Sequence, residues 1–201
     1  MNEDYSMMND AQRLILDAAI ACVEKFGIEK VTIRRIAEEA GVNIASINYY
    51  FRSKANLMDA VLKLTIGNML ADVAAAINRS DLTLEERLEE VFFYLLEGAT
   101  RYPKITTAHL YDAVVCKTYD SAGISGIREM FNHLAGQALE ELPEKPPEKI
   151  RFTLAQILYA YIFLMLSPDF LEFPAEYHPG HSRAHRNLAR EYTRMFFAAL
   201  E

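Results

Sequence analysis

The segment GVNIASINYYF, Gly41 to Phe51, joins a turn glycine to a short helical run whose two faces differ in chemistry. At 3.6 residues per turn, its larger apolar side chains share one face. The opposite face carries a methyl group, a hydroxyl, an amide and a phenol, from Ala45, Ser46, Asn48 and Tyr49. Such groups are suited to the base edges and backbone of a DNA major groove.

Basic and hydroxyl side chains flank this face and are candidates for phosphate contacts. Thr32, at a predicted helix N-terminus, offers its hydroxyl and free backbone amides to a phosphate oxygen. Lys54 opens the helix that follows, and Arg52 is a further candidate. The predicted DNA-binding residues are Thr32, Arg34, Arg35, Ala45, Ser46, Asn48, Tyr49 and Lys54.

The charge distribution qualifies this interpretation. The chain has 201 residues and a formal net charge of −7, whereas nucleic-acid-binding domains are usually basic. From Lys30 to Lys63 there are six Lys or Arg and three Asp or Glu, a local charge of +3, so the remainder carries −10. A small basic patch on an acidic body predicts weak non-specific affinity and a shallow salt dependence.

Apolar periodicity and capping signals predict an all-α chain of about nine helices. Gly41-Val42-Asn43 is the predicted turn of a helix-turn-helix, and Thr83 with Glu86 matches a capping box. The expected helices are 10–26, 33–40, 44–51, 54–78, 84 to before Pro103, 103–117, 124–142, 148–166 and 183–200. We find no internal repeat.

The segment VTIRRIAEEAGVNIASINYYFRSKANLMDAVL, Val31 to Leu62, resembles the DNA-binding segment of TetR/AcrR-type transcriptional regulators. The matching features are Thr32, Ile36-Ala37, Ala40-Gly41-Val42, Tyr50-Phe51, Ser53-Lys54 and Leu57. The resemblance implies an N-terminal three-helix DNA-binding domain, residues 1–53, and a C-terminal helical effector-binding and dimerisation domain, residues 54–201. It also implies a cytoplasmic homodimer, most simply a repressor released from palindromic operator DNA by a small apolar or aromatic effector.

Two positions depart from the family pattern on or near the outer face. Position 44 is Ile, where family members often carry a polar or basic residue, and position 48 is Asn, where an aromatic is common. These departures bear on which operator is bound and leave the binding mode unchanged.

The C-terminal part carries the candidate effector pocket and dimer interface. Pockets for small molecules are mostly apolar with a few polar groups. The candidate residues are Met69, Phe92, Phe93, Leu96, Tyr102, His109, Tyr111, Phe131 and His133. Leu154–Leu166 is apolar nearly all round, so we expect a dimer interface between this helix and the last one, formed through Tyr192, Met195, Phe196 and Leu200.

Other functions remain as alternatives. The sequence lacks HExxH, a glycine-rich phosphate loop and a nucleophile signature, so neither an all-helical enzyme nor a bound cofactor is expected. A helical interaction module of the same fold without DNA binding is the second alternative. No signal peptide is expected in MNEDYSMMND, and Leu154–Leu166 is too short to span a membrane.

Cysteine and histidine side chains can bind metals, and cysteines can also form disulfides, but the positions of these residues predict neither. Cys22 and Cys116 lie in apolar helical patterns and are expected to be buried and reduced. His178, His181 and His185 have spacings that suit a metal, but Pro179-Gly180 indicates a solvated loop, and we predict no metal site.

Overall fold

The structure is a computed structural model that describes Tyr5, residues 7–172 and residues 174–201. Over those residues the chain is helical and has no strand, which confirms the predicted fold class. The helices are α1 Asp10–Phe26, α2 Ile33–Ala40, α3 Ile44–Phe51, α4 Lys54–Ile77, α5 Leu84–Arg101, α6 Pro103–Tyr111, α7 Ala122–Glu141, α8 Pro147–Leu166 and α9 Ser182–Leu200. Residues 1–4 and 6, part of the segment in which no signal peptide was expected, lie outside the described residues.

The helices form two compact units. The first comprises the residues up to Ala71 together with Tyr102–Gly126, and the second comprises Asp72–Arg101 together with Ile127–Glu201. The three boundaries between the units therefore fall inside α4, between α5 and α6, and inside α7.

The first unit contains the predicted helix-turn-helix. Helix α1 begins with a capping box between Asn9 and Gln12 and ends at Gly27. Its inward face is fully buried at Ile15 and Leu16, and Ile47 of α3 is 1% exposed. Burying one such aliphatic side chain stabilises the fold by about 1.5–3 kcal/mol, so this small core fixes the orientation of α3.

Within the first unit, hydrogen bonds from both ends of α6 join it to α1 and to the loop that follows α1. The Glu24 carboxylate accepts from the backbone N–H groups of Lys104 and Ile105, each at 3.2 Å. The Tyr111 hydroxyl donates to Glu29 at 2.7 Å. Because free N–H groups at a helix start need an acceptor, Glu24 of α1 acts as the cap that the chain next to α6 does not supply.

In the second unit, α5 and α9 pack along their lengths. Arg186 donates to Glu90 at 2.6 Å, and its guanidinium lies 3.6 Å from the centre of the Phe93 ring. Phe92 and Tyr192 meet edge to face with their ring centres 5.7 Å apart. The predicted capping box starts α5, where Thr83 N–H donates to Glu86 at 2.8 Å.

The prediction that both cysteines are buried is wrong for one of them. Cys22 is buried as expected, but Cys116 is exposed. The backbone widens into a π-helical turn at Asp112–Cys116, and Lys117 adopts a left-handed conformation, so the predicted helix to residue 117 is interrupted. Val115, in the same turn, is 58% exposed.

The second wrong prediction concerns the last helix. Tyr192, Phe196 and Leu200 were expected to face a partner, but they are 7%, 0% and 3% exposed. They lie on the inward face of α9, where Tyr192 contacts Phe92 of α5. Of the four residues assigned to the interface, only Met195 is exposed, at 53%.

Candidate nucleic-acid interface

The turn between α2 and α3 has the geometry that the sequence predicts. Gly41 has φ 65° and ψ 28°, a left-handed conformation that favours glycine. Val42 N–H donates to Ala37 O at 3.0 Å, which closes the end of α2. Val42 packs against the core of the first unit, so the turn sets the position of α3 relative to α2.

The outer face of α3 is solvent-exposed. Ala45, Asn48 and Tyr49 are exposed, Tyr49 at 78%. The Tyr49 ring meets Tyr50 edge to face at 5.0 Å, so a half-buried neighbour restrains it. Among the described residues, the Tyr49 hydroxyl and the Asn48 side-chain amide make no hydrogen bond, so both remain available to another molecule.

Ser46 lies at the border of this face. It is half-buried, and its hydroxyl donates to Asn43 Oδ1 at 3.0 Å while its backbone N–H donates to the same atom at 2.7 Å. Asn43 is thus the N-cap of α3, as predicted. The Ser46 hydroxyl retains its acceptor lone pairs but has its proton engaged within the protein.

The predicted phosphate contacts at α2 are exposed, and some are already partnered. Thr32 caps α2 by accepting from Arg35 N–H at 3.3 Å. Arg34 pairs with Glu38 at 3.0 Å. Arg35 donates to Lys30 O at 2.8 Å and lies over the Phe26 ring. Exposed ion pairs contribute only about 0–1 kcal/mol, so Arg34 can exchange Glu38 for a phosphate at little cost.

Lys54 and Arg52 lie at the junction of α3 and α4. The Lys54 ammonium donates to Ile28 O at 3.4 Å, which restrains its position and leaves two N–H donors. Arg52 has φ 66°, a conformation that is rare for a non-glycine residue. Ser53 N–H donates to Phe51 O at 2.8 Å across Arg52, so the bend is a strained γ-turn. Sequence patterns gave no signal for this strain.

The nine predicted effector residues are divided between the two units. Met69, Tyr102, His109 and Tyr111 belong to the first unit, and Phe92, Phe93, Leu96, Phe131 and His133 belong to the second. Phe92 and Leu96 are buried in the core of the second unit, and His133 is exposed and within 3.3 Å of Asn78. An open depression of roughly 640 Å³ is lined by Ala175, Glu176, Gly180, His181, Ser182, Arg183 and Asn187, and none of the nine borders it.

His109 is a buried polar side chain inside the first unit. Its Nε2 lies 2.9 Å from Thr65 Oγ1, and Thr65 donates its own proton to Val61 O at 2.9 Å. Nε2 therefore carries the imidazole proton, and Nδ1 is a bare acceptor with no partner among the described residues. Burial lowers the pKa of His109 to about 4, so the ring is neutral at pH 7.

The three C-terminal histidines do not form one cluster. His178 is 3.0 Å from Asp169, and its ring lies 5.5 Å from that of His181. His185 is 5% exposed, and its Nε2 lies 2.9 Å from Pro179 O and 3.2 Å from Thr100 Oγ1. The solvated-loop interpretation is therefore wrong for His185. Within the described ranges, no group of three or more His, Cys, Asp or Glu is arranged to hold a metal.

Comparison with known proteins identifies this arrangement of helices. Residues 15–61 match the model for bacterial regulatory proteins of the tetR family. The transcriptional regulator BetI of Escherichia coli (strain K12 / DH10B) is 32% identical over 160 residues, which cover 76% of this chain and 80% of BetI.

Solved structures agree with the fold over nearly the whole chain. The fatty acid degradation regulator FadR from Bacillus halodurans has a TM-score of 0.69 at 15% identity, covering 96% of this chain and 98% of its own. A tetR-family transcriptional regulator from Streptomyces coelicolor has a TM-score of 0.73 at 14% identity, covering 96% and 82%. At these identities the likeness concerns the fold alone.

Proposed function

This chain belongs to the TetR family of bacterial transcriptional regulators, and we propose that it represses transcription by binding a palindromic operator through the outer face of α3. It is not an enzyme. The supporting observation is the exposed row of Ala45, Asn48 and Tyr49 on a helix whose opposite face is buried. Phosphate contacts from Thr32, Arg34, Arg35 and Lys54 would position that helix, and Asn48 and Ser46 would contact base edges.

We place DNA binding in residues 1–53 and effector binding and dimerisation in residues 54–201. TetR-family regulators dimerise, and α8 offers a surface for this. Phe152, Tyr159 and Phe163 on this helix are 64%, 74% and 50% exposed. Helices α8 and α9 pack together in the second unit, and Met195 adds an exposed apolar side chain on α9. A patch of exposed aromatic rings on one helix is typical of a protein interface.

We propose that a small apolar or aromatic effector binds within the first unit, at the predicted residues Met69, Tyr102, His109 and Tyr111. Tyr102, His109 and Tyr111 lie at or in α6, whose ends are bonded to Glu24 and Glu29. A ligand contacting α6 would therefore act on α1 directly. It can release the operator only if it binds one conformation of the protein more tightly than the other.

A cytoplasmic location follows from this role in transcription. Helices α4 and α8 are long and apolar enough to cross a membrane by length and composition alone. Core and interface helices of soluble proteins have the same properties. The N-terminal end of α4 supplies Lys54 to the DNA-binding face, and the exposed aromatic rings of α8 are assigned to the dimer interface.

Lys54→Ala tests this function on DNA of any sequence. We expect it to weaken binding to a labelled random-sequence duplex at low ionic strength by about 3- to 10-fold, because a phosphate contact is lost. The slope of log K against log salt should fall by about 0.9 for each lysine removed. Fluorescence anisotropy over a salt series measures both quantities.

Asn48→Ala is the matched control in the same titration. Its amide is assigned to a base edge, so affinity averaged over random sequences should stay unchanged.

Arg52→Gly is a second test, because glycine relieves roughly 1–3 kcal/mol of backbone strain while removing a candidate phosphate contact. Arg52→Gly should therefore bind the duplex more weakly and yet remain folded. If the wild type ignored duplex DNA at low salt, the interaction module without DNA binding would replace this proposal.

A further inference from the structure

Helix α3 presents an alkyl side chain at its N-terminal end, where a recognition helix contacts base edges. Ile44 is the first residue of α3 and is 44% exposed. Over the described part of the chain, it is not among the hydrophobic residues that pack against the core of the first unit. Single exposed apolar residues are common on protein surfaces, so the side chains around Ile44 decide whether it has a role.

Two polar side chains at the start of α3, Asn43 and Ser46, are hydrogen-bonded to each other. Asn43 Oδ1 accepts from both the backbone N–H and the hydroxyl of Ser46, at 2.7 and 3.0 Å. Beside this capping pair, the exposed surface of the turn carries the Ile44 side chain and the Ala45 methyl. These two alkyl groups offer no hydrogen bond to a base.

One turn further along, Asn48 follows Ile44 at the i+4 position and shares its face of the helix. Asn48 is exposed. The face therefore places an alkyl group directly beside a side-chain amide that carries both donors and an acceptor. Each group suits a different feature of the major groove.

The alkyl group of Ile44 and the amide of Asn48 both favour A·T base pairs over G·C base pairs. The only apolar group on a base edge in the major groove is the thymine C5-methyl, and an asparagine amide pairs in bidentate fashion with adenine N6 and N7. If a cytosine or guanine lay against Ile44, the polar groups on its major-groove edge would lose their hydrogen bonds to water, and the alkyl side chain would not replace them. We propose that Ile44 and Ala45 contact thymine methyl groups and that Asn48 contacts a neighbouring adenine, so each operator half-site has an A·T core. This specificity rests on the DNA-binding function proposed above.

Removing single methyl groups from the DNA tests the proposal. The probe is a duplex recovered by selection from a random library, in which each thymine is replaced in turn by deoxyuridine. This replacement deletes only the C5-methyl. For the wild type we expect one or two positions per half-site at which affinity falls by about fourfold, the effect of uncovering one methyl group.

The variant Ile44→Ala identifies the side chain that makes the contact. It should lose affinity for the thymine duplex and become insensitive to deoxyuridine at the position that Ile44 contacts, while a position contacted by Ala45 keeps its effect. The control Asn48→Ala should keep the full deoxyuridine effect while accepting other bases in place of the adenine. Equal deoxyuridine effects in wild type and Ile44→Ala, or none at any position, would overturn the proposal with DNA binding intact. Failure to recover any duplex would overturn the proposed function as well.

Discussion

Tyr159→Glu is expected to convert the protein into monomers and to weaken binding to its selected operator by about 10²–10⁴-fold. Tyr159 is 74% exposed in the middle of α8, between Phe152 and Phe163. A two-fold interface brings the same surface of both subunits together, so one substitution places two carboxylates in it. Taking unpaired charges out of water costs several kcal/mol for each ion.

DNA affinity is expected to fall because a monomer no longer holds two recognition helices together. A dimer holds its second recognition helix close to the second half-site, so that contact becomes intramolecular. Light scattering measures the mass, and anisotropy with the selected duplex measures the affinity. Tyr94→Glu is the matched control, because Tyr94 is also an exposed tyrosine of the second unit, at 45%, but lies on α5. If Tyr159→Glu remained dimeric, or if Tyr94→Glu dissociated equally, the interface on α8 would be misplaced.

Arg87→Ala is expected to lower the free energy of unfolding by about 3 kcal/mol. The Arg87 side chain is 7% exposed. It donates to Ile77 O at 2.9 Å, pairs with Glu141, and reaches Thr83 O at 3.4 Å. One guanidinium thus joins the end of α4, the start of α5 and the end of α7, and alanine leaves the buried carbonyl of Ile77 without this donor.

The estimate lies at the low end for a buried ion pair because the Glu141 side chain is 41% exposed and water can solvate it. Arg190→Ala is the matched control, since Arg190 pairs with Glu89 at 3.6 Å and is 51% exposed. Its effect should stay within about 1 kcal/mol. Urea unfolding at one fixed protein concentration compares the variants, because dimer stability depends on concentration. If both variants lowered the free energy of unfolding by the same amount, the buried contacts of Arg87 would add no more stability than an exposed ion pair.

Local signals in the sequence predicted most of the helices and their ends. The cap at Thr83, the stop at Gly27 and the turn at Gly41 each depend on residues within a few positions of one another. The two faces of α3 follow from helical periodicity, so the exposure of Asn48 and Tyr49 could be predicted. Ser46 was placed on the outer face, but the structure puts it at the border, where it serves the cap.

The features that could not be predicted depend on contacts between distant residues. Glu24 caps α6 from a position 80 residues away in the sequence, and Arg87 reads as an ordinary exposed helix residue until its partners are known. Tyr192 and Phe196 were assigned to a partner subunit because periodicity identifies an apolar face without saying what covers it. The widened turn at Cys116 also has no signal in the local pattern.

Selection of bound duplexes from a random library tests the central claim most directly, because it requires the outer face of α3 to dock in the major groove. We expect a palindromic motif whose half-sites lie about one helical turn apart or slightly more, about 34–36 Å for one turn, each with an A·T core. Selection with a Lys54→Ala, Tyr49→Ala double variant should recover little DNA. Recovery of no motif from the wild type, or of the same motif at equal yield from the double variant, would contradict the assignment of DNA binding to this face.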